Sequence, residues 1–304
     1  LQVWLVGTLV FSLLHILPGD PVLVILGSER TPDPEVLEAV RARLGLDKPL
    51  GEQYVNWLAD LVQGDLGLSL SNDQPVWDRI SARLPRTLEL VIGAMLLAST
   101  IGVFLGVTAA LNWNTPRDSL VNIISAVGMS VPVYVVGTLL VLLFAVQLRW
   151  LPNAGYVSAQ ENFGEFLRRL TLPMITLSLA PMAIITRTTR SSLLEVRFSD
   201  YVRTAYAKGL RSQTVVIRHM LRNAFIPVVT IIGIQMGALL GGTVIVEFIF
   251  NWPGLSTLLI TSIQRRDYPV VQGIVLVIAT LFILINLLVD LLYSWLDPRI
   301  RHRA

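Results

Sequence analysis

Apolar residues fall in long runs separated by short polar stretches. A bilayer crossing needs about 20 consecutive apolar residues, and six runs reach or approach that length: residues 1–17, 88–111, 120–148, 172–188, 226–246 and 270–295. The first is short, as expected of an N-terminus lacking its opening residues. Pro173 and Pro181 predict a kink in the fourth. The segment 19–85 is too polar for lipid. Helical spacing of Val36, Leu37, Val40 and Leu44, and again of Tyr54, Trp57, Leu58 and Leu61, predicts two short amphipathic helices there. The glycine-rich Gly64-Asp65-Leu66-Gly67 follows them. The pattern predicts an all-α polytopic membrane protein with six transmembrane helices: a first span at 1–18, an external helical cap at 19–85, and a core at 86–304 carrying a cytoplasmic loop at 190–222.

Composition agrees. Of 304 residues, 53% are hydrophobic and 15% charged, and the mean hydropathy of +0.64 exceeds that of soluble domains. Charge is uneven: residues 19–83 carry a net −5 and residues 187–222 a net +6. The tail adds Arg299, Arg301, His302 and Arg303. The positive-inside rule places the basic loop and the tail in the cytoplasm, the N-terminus with them, and the acidic segment outside. The bases cluster at membrane boundaries, so the pI of 9.4 does not point to nucleic acid. Without cysteine there is neither a disulfide framework nor a thiolate metal site.

The stretch from Asp200 to Asn223 stands between two spans and carries Arg203, Lys208, Arg211, Arg218 and Arg222 against the acid Asp200. Ser199 or Asp200 can start a short helix, and Gly209 can stop it in the left-handed conformation. Arg203-Thr204-Ala205-Tyr206-Ala207-Lys208-Gly209 and His219-Met220-Leu221-Arg222-Asn223-Ala224 resemble the EAA loop of ABC importer permeases in its dipeptide, oligopeptide, glutathione and nickel variant. Arg203 and Thr204 replace the Glu and first Ala of the general motif, and Arg222 replaces its Pro. Pro18-Gly19-Asp20-Pro21, Asn251-Trp252-Pro253-Gly254-Leu255 and Arg266-Asp267-Tyr268-Pro269 extend the resemblance along nearly the whole chain. It implies a type I ABC importer permease fold in a bacterial or archaeal cytoplasmic membrane. It also implies a second homologous permease, an external solute-binding protein, and two cytoplasmic ATPase subunits that bind ATP and Mg, with no cofactor in this chain. Asp200, Tyr201, Arg203, Thr204, Ala205, Ala207, Lys208, Gly209 and Leu210 would then couple to an ATPase, with Ala205 and Ala207 allowing close seating. The cap would dock the binding protein or act as a packed lid.

Inside the spans, Gly233, Gly237 and Gly241 recur every four residues and strip one helix face of side chains. Contact with the second permease is the expectation; packing within the chain is the alternative. Gly102 and Gly106 offer a second such pair. Intramembrane polar groups usually face a bundle interior or wet cavity, so Gln235, Asn286 and Asp290 are candidates for the translocation path, with Asp290 alternatively pairing Arg187 or Arg190. Glu247, Arg265, Arg266 and Asp267 are candidates for an outer gate or binding-protein contact. Trp252 is expected at headgroup level.

Other chemistry is poorly supported. The chain has no G-x-x-x-x-G-K-[ST] loop for ATP and no H-E-x-x-H, and its histidines, His15, His219 and His302, are scattered. Gly128-Met129-Ser130-Val131-Pro132 lacks the second glycine of a nucleophile elbow. An ion-coupled secondary transporter would want mid-span carboxylates and an inverted repeat; Asp290 is the one deep candidate acid, and no repeat is visible.

Overall fold

The computed structural model describes residues 2–16, 38, 41 and 47–296, with only the backbone described at 13–16, 290 and 292–296. Apart from residues 38 and 41, the expected helix at 34–44 lies outside the described residues, as do the tail arginines. The described chain is helical: α1 Gln2–Ile16, α2 Leu50–Val62, α3 Val76–Ser81, α4 Leu84–Leu111, α5 Pro116–Ser130, α6 Val133–Leu140, α7 Phe163–Arg197, α8 Asp200–Ala207, α9 Ser212–Thr214, α10 Arg222–Ile249, α11 Leu255–Gln264 and α12 Tyr268–Leu296. Two π-helical segments, Val141–Gln147 after α6 and Val215–Leu221 between α9 and α10, complete it.

Among the described residues, four helical stretches are long and apolar enough to cross a bilayer: Val76–Leu111, Phe163–Arg197, Ser212–Ile249 and Tyr268–Val289. The pair Pro116–Ser130 and Val133–Gln147, bent by 101°, makes a fifth if its two helices are counted as one broken span. The third apolar run was expected to be one span, and it breaks at Val131-Pro132. Val131 is extended (φ −82, ψ 124), as the residue before proline prefers, and Pro132 has no N–H to continue the ladder. By contrast α7 runs through Pro173 and Pro181 as one helix of 35 residues. The first expected span is represented by α1, whose 15 described residues fall short of a crossing.

The chain divides into two compact units. One comprises residues 1–85 and 254–280. Its core is Val76, Ile80, Leu255, Leu258, Val270 and Ile274. Gly273 lets α12 approach α3: a Cβ there would stand 2.7 Å from Val76 Cγ1. The expected apolar face of α2 is the half-buried one. Tyr54 and Trp57 pack against Phe11 of α1 with centroids 5.3 and 5.5 Å apart.

The other unit comprises residues 86–253 and 281–304. Its axis is α7, which packs on α5, α6 and α10. Against α4 it approaches so closely that a Cβ on Gly106 would lie 2.5 Å from Thr189 Cβ and 2.7 Å from Thr186 O. Only glycine permits that separation. Trp252 was expected at the interface and is instead fully buried. Its ring meets Tyr156 edge-on at 4.9 Å, and its Nε1–H donates to Arg86 O at 2.9 Å. The indole thereby satisfies its one donor inside the protein and gains nothing from headgroups.

Candidate functional site

The basic loop forms the short helix its sequence predicts. Ser199 precedes α8 in extended geometry, but its hydroxyl donates to Val196 O at 2.6 Å and does not cap the helix. At the other end Gly209 takes φ +76. Its N–H donates to Tyr206 O at 2.9 Å and the Leu210 N–H to Ala205 O at 3.4 Å. These are the two bonds of a Schellman stop, which a glycine at this position makes without Cβ strain.

Val202 and Ala205 turn inward and are buried with Ala110, Leu193, Val215, Met220 and Ala224. Tyr201, Arg203, Thr204, Tyr206, Ala207, Lys208, Gly209 and Leu210 are exposed. Ala205, expected to face a partner, therefore seats α8 on its own chain, because it shares the inward face with Val202. The Tyr201 hydroxyl accepts from Asn223 Nδ2 at 3.1 Å, and Arg197 Nη1 donates to Ala110 O at 2.9 Å. Packed side chains thus join α8 to α7 and the start of α10. The Arg203–Asp200 pair, 3.8 Å apart and mostly exposed, contributes little.

The glycine stripe packs internally. A Cβ on Gly233 would collide with Val289, and one on Gly237 would lie 2.9 Å from the Phe282 ring. Both are α12 residues, so these two glycines make an intrachain helix contact and do not present an interface to a second subunit. Gly241 has open space around it. The tertiary fold decides this, since a bare helix face accepts either a neighbour in the chain or one from outside.

Gln235 and Asn286 are half-buried in α10 and α12. The Asp290 side chain lies outside the described residues. Arg190, its expected partner, is committed elsewhere: Nε and Nη2 grip the Asp118 carboxylate at 2.6 and 2.8 Å. Arg187 is exposed, with Met129 Sδ at 3.6 Å from Nη1.

The four outer candidates do not form one exposed set. Glu247 is fully buried and accepts from Thr87 Oγ1 at 2.8 Å. Asp267 is 1% exposed and accepts from Ser69 Oγ at 2.5 Å, Ser71 Oγ at 2.9 Å, Arg79 Nη1 at 2.8 Å and the Leu70 N–H at 3.0 Å. Neither carboxylate is presented to an outside protein in this conformation; Arg265 and Arg266 are exposed. Burial pushes the Asp267 carboxyl up, but the bonds from Ser69, Leu70, Ser71 and Arg79 outweigh it and hold it below the usual carboxylate value.

Sequence reading missed Asp118, Thr87, and the pair of Tyr156 and Glu89, whose hydroxyl and carboxylate stand 3.1 Å apart. Burial and the neighbouring Glu89 charge push the Tyr156 phenol up. The signal available for Asp118 and Glu89 was a carboxylate at the margin of an apolar run, where a buried partner is the usual condition of survival.

Known proteins resemble this chain closely. Residues 102–302 match the family described as binding-protein-dependent transport system inner membrane component. Residues 1–91 match the N-terminal region of the same kind of membrane component. The di/tripeptide transport system permease protein DppB of Pseudomonas aeruginosa is 45% identical, covering 98% of this chain and 94% of that protein. The dipeptide permease DppB of Escherichia coli is 43% identical over 97% of this chain and 94% of its own. The glutathione transport system permease protein GsiC of Escherichia coli is 45% identical over 99% and 95%. In fold, the chain is similar to an inward-facing MetNI methionine ABC transporter chain, with TM-score 0.59 at 16% identity over 72% of this chain and 96% of that one. An amino acid ABC transporter chain gives 0.51 at 17% over 73% and 94%.

Proposed function

The chain belongs to the family of binding-protein-dependent transport system inner membrane components, and from that premise we propose that it is the translocation subunit of an ATP-driven importer of short peptides. It is a multi-pass protein of the inner membrane. Substrate would cross beside its spans, together with a second permease, after delivery by an external binding protein. Two cytoplasmic ATPases would bind ATP and Mg and supply the chemistry; this subunit itself catalyses none.

The observation that carries the coupling role is α8. It is held by Val202 and Ala205 against residues of α7 and α10, while Tyr201, Arg203, Tyr206 and Lys208 point outward. A small, rigid, basic projection suits docking in a groove of an ATPase, and rigid-body displacement then reaches the spans without local refolding. In this orientation the loop from Asp200 to Asn223 is cytoplasmic and the segment 19–85 external, which the charge asymmetry supports.

Di- and tripeptides are the substrate class preferred here. Glutathione, itself a tripeptide, is the second reading, because the glutathione permease is as similar as the dipeptide one. The test is ATP-dependent uptake by proteoliposomes containing this chain, its partner permease, both ATPases and the binding protein. Labelled dipeptide and labelled glutathione are offered separately. Uptake of either that requires ATP supports the proposal, and their ratio separates the two readings. Uptake by the purified chain without ATPases would overturn it in favour of ion-coupled transport.

A further inference from the structure

Arg86 and Glu89 stand at i and i+3 in the first two turns of α4. They carry opposite charges, yet they do not pair; Tyr156 engages both. Its hydroxyl donates to Glu89 Oε2 at 3.1 Å, while the Arg86 guanidinium lies over its ring, 5.0 Å from the centroid. The tyrosine is itself held in place. Just before it the Gly155 N–H donates to Phe250 O at 2.9 Å, and Arg169 Nη1 donates to Ala154 O at 2.9 Å. Trp252 meets its ring edge-on at 4.9 Å.

Both charges keep unused bonding capacity. A carboxylate has about four acceptor sites, and among the described residues Glu89 accepts from Tyr156 alone. Arg86 has no carboxylate partner among them. All three side chains are partly exposed. A carboxylate at the margin of a span is costly against lipid, so its exposed oxygens face a wetted path. With the segment 19–85 outside, α4 enters the membrane from the outer side, and Arg86 and Glu89 stand where a solute would arrive.

Resting on the peptide-importer reading, we infer that Glu89 receives the α-ammonium of an incoming short peptide and Arg86 its terminal carboxylate. The spacing suits the ligand. Residues at i and i+3 on a helix stand about 5–6 Å apart at Cβ, and two extended residues reach about 7 Å. A dipeptide therefore bridges the pair with its side chains unread. The ammonium brings charge-assisted donors to Glu89, and the planar fork of Arg86 matches a carboxylate with two parallel bonds. Tyr156, fixed from both sides, keeps the two charges from closing on each other when no peptide is present.

The test uses the complete complex with its partner permease and ATPases in nanodiscs, without the binding protein. Equilibrium binding is measured for alanyl-phenylalanine, its N-acetyl form and its C-terminal amide. Wild type is expected to hold the free dipeptide about tenfold tighter than either blocked form, the effect of losing one charge-assisted contact. Glu89→Gln should erase the preference over the N-acetyl form and keep the preference over the amide. Arg86→Gln should do the reverse, and Arg86→Lys should keep both. A purely structural role moves the two ratios together. Both positions are partly exposed, and co-elution with the ATPases verifies assembly. A wild type that does not distinguish the three forms, or ratios that survive both substitutions or change together, would overturn the inference. ATP-dependent uptake of the same dipeptide after adding the binding protein tests the importer reading separately. Uptake without discrimination by this complex discards the site and leaves that reading standing.

Discussion

Arg190 reaches across from α7 to grip both oxygens of Asp118 on α5, at 2.6 and 2.8 Å. The two residues are 72 positions apart, and the carboxylate is 6% exposed against 24% for the arginine. Asn122 Nδ2 adds a third bond to the carboxylate, at 2.9 Å. The first helix of the bent pair is thereby fastened to the central helix of its unit.

Removing one member of this pair should cost more than removing both. Asp118→Ala leaves a partly buried guanidinium unpaired and is expected to destabilise by about 3 kcal/mol. The double change Asp118→Leu with Arg190→Met should recover much of that loss. Thermal unfolding of the purified complex in nanodiscs measures both. A single variant as stable as wild type would show that the pair carries no net energy.

Gly209 should be replaceable only at the cost of strain. Its φ of +76 penalises any Cβ, although space around it is open, so Gly209→Ala is expected to cost about 1 kcal/mol and Gly209→Asn less. Co-purification of the ATPases and transport should fall in the order glycine, asparagine, alanine. Normal pull-down and uptake by the alanine variant would remove α8 from the coupling role.

The glycine stripe should behave as internal packing. Gly237→Leu drives a side chain into Phe282 and is expected to destabilise the chain by about 3 kcal/mol, partly restored by Phe282→Ala. A Cβ on Gly241 meets nothing within 4 Å, so Gly241→Leu should fold normally. Protease resistance of the chain expressed alone distinguishes these variants, because no partner subunit is then present.

Asp267 should make the unit formed by residues 1–85 and 254–280 sensitive to acid. Its folded-state value lies below the unfolded one, so its contribution is complete above the ordinary carboxylate value of about 3.9 and declines as pH falls through the depressed value. Protection of the Leu70 amide relative to its intrinsic exchange rate should be high at neutral pH and fall below about pH 4. In Asp267→Asn that protection should be low throughout. Equal exchange in the two proteins at neutral pH would show that the cluster does not hold the loop.

Orientation is open to direct measurement because the chain has no cysteine. Asn72, Gln160 and Ser212 are all exposed. Single cysteines at Asn72 and Gln160 should react with an impermeant thiol reagent applied to intact cells, and one at Ser212 should not. Outside labelling of Ser212→Cys would invert the topology.

What the sequence determined by itself is whatever depends on transfer from water or on local backbone geometry. Run length and the basic loop marked the spans, spacing marked the inward face of α2, and Gly209 marked the stop of α8. Each follows from neighbours a few residues apart. Only the tertiary structure decided which groups meet: Asp118 with Arg190, Glu247 with Thr87 across 160 positions, Asp267 with Ser69 across 198, and the glycines with Phe282 and Val289. The physical reason is the solvent. In lipid the outward face of a helix is as apolar as the inward one, so hydrophobic periodicity does not tell a buried glycine face from an exposed one. Buried carboxylates are held by distant partners whose approach is fixed by helix packing, and of the prolines in the apolar runs Pro132 broke its helix, with a bend of 101°, while Pro173 and Pro181 left α7 continuous.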